Sequence, residues 1–319
     1  MINKLYKRIN LAKPGLFLAL LFTSITASIT AQADPTPKVV TSIAPVYQLT
    51  ADIMAGVGQP TLLVDGFNSP HDYSIRPSDA RALAAADLIL WIGKDMEQFL
   101  QRQLKNYRDT TNIITLINSQ GLTLLPVVHD ALAITPNHHH GHQHINSAKD
   151  THIWLDPNNA IIMSKRISKA LSEIDPEHAV RYQENTEQLI SAIKQFVENA
   201  QKRLGSVTKQ PFLVYHDAYQ YLTHYFVLNN VGYVALNSGR QPSAKQIRQI
   251  RELIEKQQVH CIFTEPQFRA PVIRTLTENF QMRIHTLDPL GVQHTQEPYG
   301  YIKTMETNVN EILACLKQD

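Results

Sequence analysis

The chain of 319 residues carries 14 histidines, and they are unevenly spread. Six of them, His138, His139, His140, His142, His144 and His152, fall between Asn137 and His152. Neutral imidazole is the commonest side-chain ligand for transition metals, so metal binding is the chemistry this density suggests. Spacing separates the histidines into two kinds. His71 in "GFNSPHDYSIRPSD", His152 in "DTHIWLDP" and His216 in "LVYHDAYQYL" each stand at the end of a predicted strand or in the segment that follows one, as does Asp288 in "HTLDPLG". In open α/β sheets ligands collect outside the carboxyl ends of the strands. His71 and His152 come from the first half of the chain and His216 and Asp288 from the second, so a shared site would lie in a cleft between the halves. Three imidazoles and one carboxylate suit tetrahedral Zn²⁺, with ligand distances of about 2.0–2.2 Å. Mn²⁺ favours more oxygen donors, which tilts the choice to zinc, while Cu²⁺ would bind such a set at least as tightly.

The crowded histidines read differently. His138, His139, His140, His142 and His144 lie in a stretch, 127–149, with no hydrophobic periodicity, rich in His and carrying Pro136, Asn137 and Asn146. Such a stretch is expected to be a long solvated loop. Each metal-binding event there would have to order chain at about 1–2 kcal/mol per residue fixed. Weak, exchanging binding follows, either as a zinc-collecting or zinc-sensing appendage or as an incidental property of a solvated loop. His152 differs because the ordered "HIWLDP" segment can preset its ring. The scattered His129, His178, His224, His260, His285 and His294 are expected in surface or structural roles.

The elements that must hold these residues are also legible. Lys4, Lys7, Arg8 and Lys13 precede an apolar run from Leu16 to Ile29 and then Ala31-Gln32-Ala33. That is the pattern of a secretory leader, with cleavage expected after Ala33 and export of the mature chain. No cysteine near that point suggests a lipid anchor, and no later run is long enough to span a membrane. The formal charge is +2, without a long basic tract, so no nucleic-acid partner is expected. Short apolar strands near 38–43, 60–64, 87–93 and 112–117 alternate with helical segments near 46–55, 77–85 and 96–105. Continuous apolar strands between helices predict a parallel sheet covered on both faces. A further helix is expected from about Pro157 to Ser172.

From Pro176 to about Leu204 a stretch without interior Gly or Pro predicts a helix of roughly 27 residues, about 40 Å long. A rigid connection between two domains would explain that length. Strands near 211–215, 232–236, 261–264 and 283–286 then repeat the α/β rhythm, with a last helix near 299–316. The expected division is a leader over 1–33, an N-terminal α/β domain over 34–175, a linker helix over 176–205 and a C-terminal α/β domain over 206–319. Cys261 and Cys315 are the two cysteines. In an exported protein such a pair reads as a disulfide, with two buried thiols as the alternative.

These residues carry a resemblance. "PHDYSIRPSDARAL", "HIWLDP", "YHDAYQYL", "FTEPQF" and "TLDPLG" occur in this order, and the chain from about Val39 to Leu316 resembles the periplasmic zinc-binding proteins of ABC importers, of the ZnuA type. The resemblance implies that His71, His152 and His216 are zinc ligands, with a carboxylate or water in fourth place, and that Cys261 and Cys315 are bonded. It also implies a periplasmic, monomeric binding protein that captures Zn²⁺ and delivers it to a membrane permease. Two departures stand out. Pro70 occupies the position from which some members supply a glutamate to zinc, which leaves Asp288 or water for the fourth place. Tyr233 stands where some members carry a histidine of a second, weaker site. Glu265 in "FTEPQF" is expected to support the ligands or to be an ordinary strand-end carboxylate. The rival readings are a secreted zinc hydrolase on the same three histidines, since an open zinc position can activate water, and a zinc-binding surface adhesin.

Overall fold

The computed structural model describes residues 36–66, 68–107, 110–127, 148–235, 242–268 and 271–317. The expected leader and the five crowded histidines lie outside them. The first half runs β1 (Val39–Thr41), α1 (Ala44–Ile53), β2 (Thr61–Leu62), α2 (Pro77–Ala84), β3 (Leu88–Trp91), α3 (Gln98–Leu104) and β4 (Asn112–Thr115). A 3₁₀ turn at Ile153–Leu155 leads into α4 (Pro157–Ile174) and α5 (Ala179–Leu204). The second half runs β5 (Phe212–His216), α6 (Gln220–Phe226), β6 (Asn230–Ala235), α7 (Ala244–Gln257), β7 (Cys261–Thr264), α8 (Val272–Thr277), β8 (Arg283–Thr286) and α9 (Gly300–Leu316).

Each half forms a four-stranded sheet, ordered β2-β1-β3-β4 in the first and β6-β5-β7-β8 in the second. Every pairing within them is parallel. The two halves therefore wind alike, each folding back at its first strand. Helices cover both faces of such sheets, which explains why β3 and β5 are buried along their whole length. β2 is shorter than its apolar run predicts. It is an edge strand paired only to β1, and Pro60 lies just before it.

Helix α5 spans 26 residues, about 39 Å at 1.5 Å per residue. It is not a bare strut between the halves. Leu189, Ile193, Phe196, Ala200 and Leu204 form a buried stripe at helical spacing. That stripe packs on α1 and α4 from the first half and on α9 from the second. A single hydrophobic cluster includes Ile43, Leu90 and Trp154 together with Val214, Phe263 and Met305. Polar contacts cross the same seam. Trp154 Nε1 donates to Pro289 O at 2.7 Å, Tyr301 Oη to Trp154 O at 2.8 Å, and Gln48 Nε2 to Gly291 O at 2.8 Å. Gly291 has φ +65°, and a Cβ there would lie 1.9 Å from Thr304 Oγ1, so this close approach requires glycine.

Cys261 in β7 and Cys315 in α9 form a disulfide with Cα atoms 5.9 Å apart. It ties the second sheet to the last helix. Among the described residues, no helix is long and apolar enough to cross a membrane.

Candidate metal centre

Each motif singled out in the sequence builds a support for one side chain. In "PHDYSIRPSD", Pro77 opens α2 and the Asp79 carboxylate accepts the Arg76 amide at 2.8 Å. Tyr73 Oη donates to the same carboxylate at 2.8 Å and lies 3.0 Å from Leu63 O. Arg76 pairs with Asp65 at 3.0 Å. Together these contacts fix both ends of the turn that presents His71. In "HIWLDP", Asp156 caps α4 by accepting the Asn158 amide at 2.8 Å, and Pro157 occupies the first helical turn. His152 therefore sits at the entry of the 3₁₀ turn rather than on a strand. His216 is the last residue of β5. Because β7 runs beside β5, Glu265, one residue beyond β7, lies next to it.

The three imidazoles converge. Ring centroids are 5.6 Å apart for His71–His152 and His71–His216, and 5.1 Å apart for His152–His216. One ring nitrogen from each can be chosen so that all three lie within 4.8 Å of one another. His152 and His216 are buried and His71 is half-buried. The cavity they line has room for about one water-sized sphere, ≈ 10 Å³, and Pro70, Trp154, Phe268 and Leu290 also wall it.

The hydrogen bonding around the rings matches ligation. His152 Nδ1 lies 2.7 Å from Asp150 Oδ1, which also accepts the His152 amide at 3.0 Å. His216 Nδ1 lies 3.4 Å from Glu265 Oε2. A carboxylate on one ring nitrogen fixes the tautomer and leaves the other as a lone-pair donor, the usual arrangement behind a metal-bound histidine. His71 Nε2 is buried without a hydrogen-bond partner, as is Glu265 Oε1. Orphaned buried polar atoms are costly, and a cation among the rings would satisfy them. Burial and the two neighbouring imidazoles push the His71 pKa down to about 3. Burial also disfavours charge on His216, but Glu265, Asp217 and Asp150 together outweigh it and raise its pKa.

Asp288, expected in the fourth ligand position, is not brought to the triad. Its Oδ1 accepts Gln267 Nε2 at 2.7 Å and the Leu290 amide at 3.0 Å, and its Oδ2 accepts the Val292 amide at 2.9 Å. A carboxylate aspartate two to four residues before free amide groups folds back on its own turn, and here that turn sets the Pro289–Gly291 segment against Trp154 and Gln48. Glu265 is the carboxylate that lines the cavity. Tyr233 is buried in β6. His178, His285 and His294 each pair with a nearby carboxylate outside the cavity. The sequence reading missed Asp150 as the brace of His152. An aspartate two residues before a candidate ligand, able to turn back on its amide and ring, was the available signal.

Comparisons with known proteins show the family and the fold. The chain matches the family described as "Zinc-uptake complex component A periplasmic" over residues 39–315. It is similar to the "High-affinity zinc uptake system protein ZnuA" of Brucella suis biovar 1 (strain 1330), 32% identical over 306 residues, covering 88% of this chain and 92% of that one. The protein of the same description from Yersinia pestis is 32% identical over 292 residues, covering 88% and 91%. Its fold is like that of a crystal structure of ZnuA, with TM-score 0.76 and 22% identity over 89% of this chain and all of that one. A laminin-binding protein of Streptococcus agalactiae, described as bifunctional with adhesin and metal-transporting activity, shares the fold at TM-score 0.72 and 22% identity, covering 88% of this chain and all of that one. With the family match running from the first strand nearly to the end of the last helix, the chain belongs to the periplasmic zinc-uptake component A family.

Proposed function

We propose that this protein is the periplasmic binding component of a zinc ABC importer, which captures Zn²⁺ as cargo and passes it to a membrane permease. The observation that carries the reading is the convergence of His71, His152 and His216 from both halves, with His71 Nε2 buried and unpartnered. The donors are His71, His152 and His216, and water completes the tetrahedron. Asp150 and Glu265 hold the rings of His152 and His216, and Glu265 Oε1 is available to accept from the water. Three neutral imidazoles suit a borderline cation that accepts nitrogen tetrahedrally. The relatives' descriptions support zinc as the cargo and uptake as the process. The expected leader supports residence in the periplasm.

A cavity with room for about one water-sized sphere favours binding over hydrolysis on the same histidines, because a hydrolase must also seat an organic substrate beside the metal. The deciding experiment is zinc titration against a competing chelator, with His71→Ala, His152→Ala and His216→Ala. Each substitution should weaken zinc by at least about tenfold, since nothing nearby completes the ligand set. Full affinity in the triple variant would end the proposal.

A further inference from the structure

His152 is held by Asp150, and Asp150 is in turn held from the other half of the molecule. Residues Leu125–Val127 and Ala148–Asp150 run side by side, with Val127 N donating to Ala148 O at 3.1 Å, Asp150 N to Leu125 O at 2.9 Å, and an antiparallel bridge between Pro126 and Lys149. This two-stranded stem ends at the carboxylate that binds the His152 ring. Two consecutive side chains of α6 grip it. Tyr221, fully buried, donates its hydroxyl to Asp150 O at 2.8 Å and accepts the Leu125 amide at 3.0 Å, so one oxygen spans both strands of the stem. Gln220, with its amide oriented to satisfy its surroundings, donates to Pro126 O and to Asp150 Oδ2, each at 3.1 Å. Helix α6 begins four residues after His216. The chain that delivers one imidazole therefore anchors, through Tyr221 and Gln220, the support of another.

We propose that Tyr221 is a positioning residue for the metal site, with Gln220 as its accessory. It fixes Asp150, which fixes the ring and tautomer of His152, and so sets the separation of His152 from His216. The assignment rests on the zinc-binding reading above. Supporting groups outside the ligand set commonly change metal affinity by about 10–100-fold, and a hydroxyl one bond further out belongs near the lower end.

The test is a double-mutant cycle on zinc affinity in the full mature protein. Tyr221→Phe removes the hydroxyl and keeps the ring. It should weaken zinc by about tenfold, chiefly through faster release. Asp150→Asn should also weaken zinc, and the two losses should not add, because both act through the same imidazole. Tyr182→Phe is the control: its hydroxyl is equally buried in the fold but donates to Asp175 at 2.6 Å, outside the site. It should cost stability without changing zinc affinity. If Tyr221→Phe fails to fold, Gln220→Met enters the same cycle. Unchanged affinity in the α6 variant, losses that add to that of Asp150→Asn, or an equal loss in Tyr182→Phe would each overturn the positioning role while leaving the zinc reading intact. Absence of tight zinc binding in the unsubstituted protein would instead overturn that reading, and this role with it.

Discussion

Glu265 Oε2 approaches His216 Nδ1 to 3.4 Å although the two residues are 49 positions apart in the chain. The approach follows from the parallel pairing of β5 and β7, whose carboxyl ends lie side by side. It places one buried carboxylate behind the His216 ring, while the other acid expected at the site, Asp288, is consumed by its own turn.

That contrast predicts a split between two conservative substitutions. Glu265→Gln should weaken zinc by about 10–100-fold, because a neutral amide replaces the charged acceptor that orients His216 and strengthens its ring as a donor. Asp288→Asn should leave zinc affinity within about threefold but destabilise the fold by about 1 kcal/mol, since one half-buried amide loses its acceptor. Chelator competition and urea unfolding on the two variants separate the effects. A large affinity loss in Asp288→Asn alone would restore that aspartate to the ligand set.

Zinc binding should release a proton near neutral pH. A histidine must be neutral to coordinate. The raised pKa of His216 means that its ring takes up a proton above the ordinary value of 6.5, so competition by protons begins there and affinity falls as pH drops. His71, held down at about 3, contributes no such competition in that range. In the metal-free protein the depressed His71 acts on stability instead. Its contribution is present above pH 6.5 and is lost as pH falls towards 3, because the unfolded chain takes up a proton that the folded ring refuses. Calorimetry in buffers of different ionisation enthalpy measures the proton release, and zero release at pH 7 would contradict the account of His216.

Reduction of Cys261–Cys315 should lower stability without altering the site. The bridge closes a sequence separation of 54 residues, for which the chain-entropy model gives about 4 kcal/mol as an upper figure. Neither sulfur lines the metal cavity. Thermal unfolding with and without reductant, paired with zinc titration of the reduced protein, checks both halves of the statement.

Deleting residues Asn137–Ile145 should leave one tight zinc site intact. The deletion removes His138, His139, His140, His142 and His144, and leaves the stem from Leu125 to Asp150 with its Val127–Ala148 and Asp150–Leu125 bonds. Only the weak binding expected at excess zinc should disappear. Calorimetric loss of the tight site would mean that His71, His152 and His216 do not suffice.

The alternation of apolar strands and amphipathic helices in the sequence determined the two α/β halves, because burial on both faces of a parallel sheet leaves continuous runs such as Leu88–Trp91 that no other element explains. Glycine- and proline-free length likewise determined α5, and capping chemistry determined the start of α4 at Asp156-Pro157. The three histidines stood out for the same local reason, each following or ending an element that could present it. The partners of those histidines were decided by the tertiary structure. Asp288 and Glu265 look equally eligible as acids near strand ends. Only the pairing of β5 with β7 brings Glu265 to His216, and only the folded turn spends Asp288 on the amides of Leu290 and Val292. The grip of Tyr221 on Leu125 and Asp150 spans 96 and 71 positions. Periodicity reports which face of an element is buried, but not which distant side chain meets it there. That is set by how the two halves pack around α5.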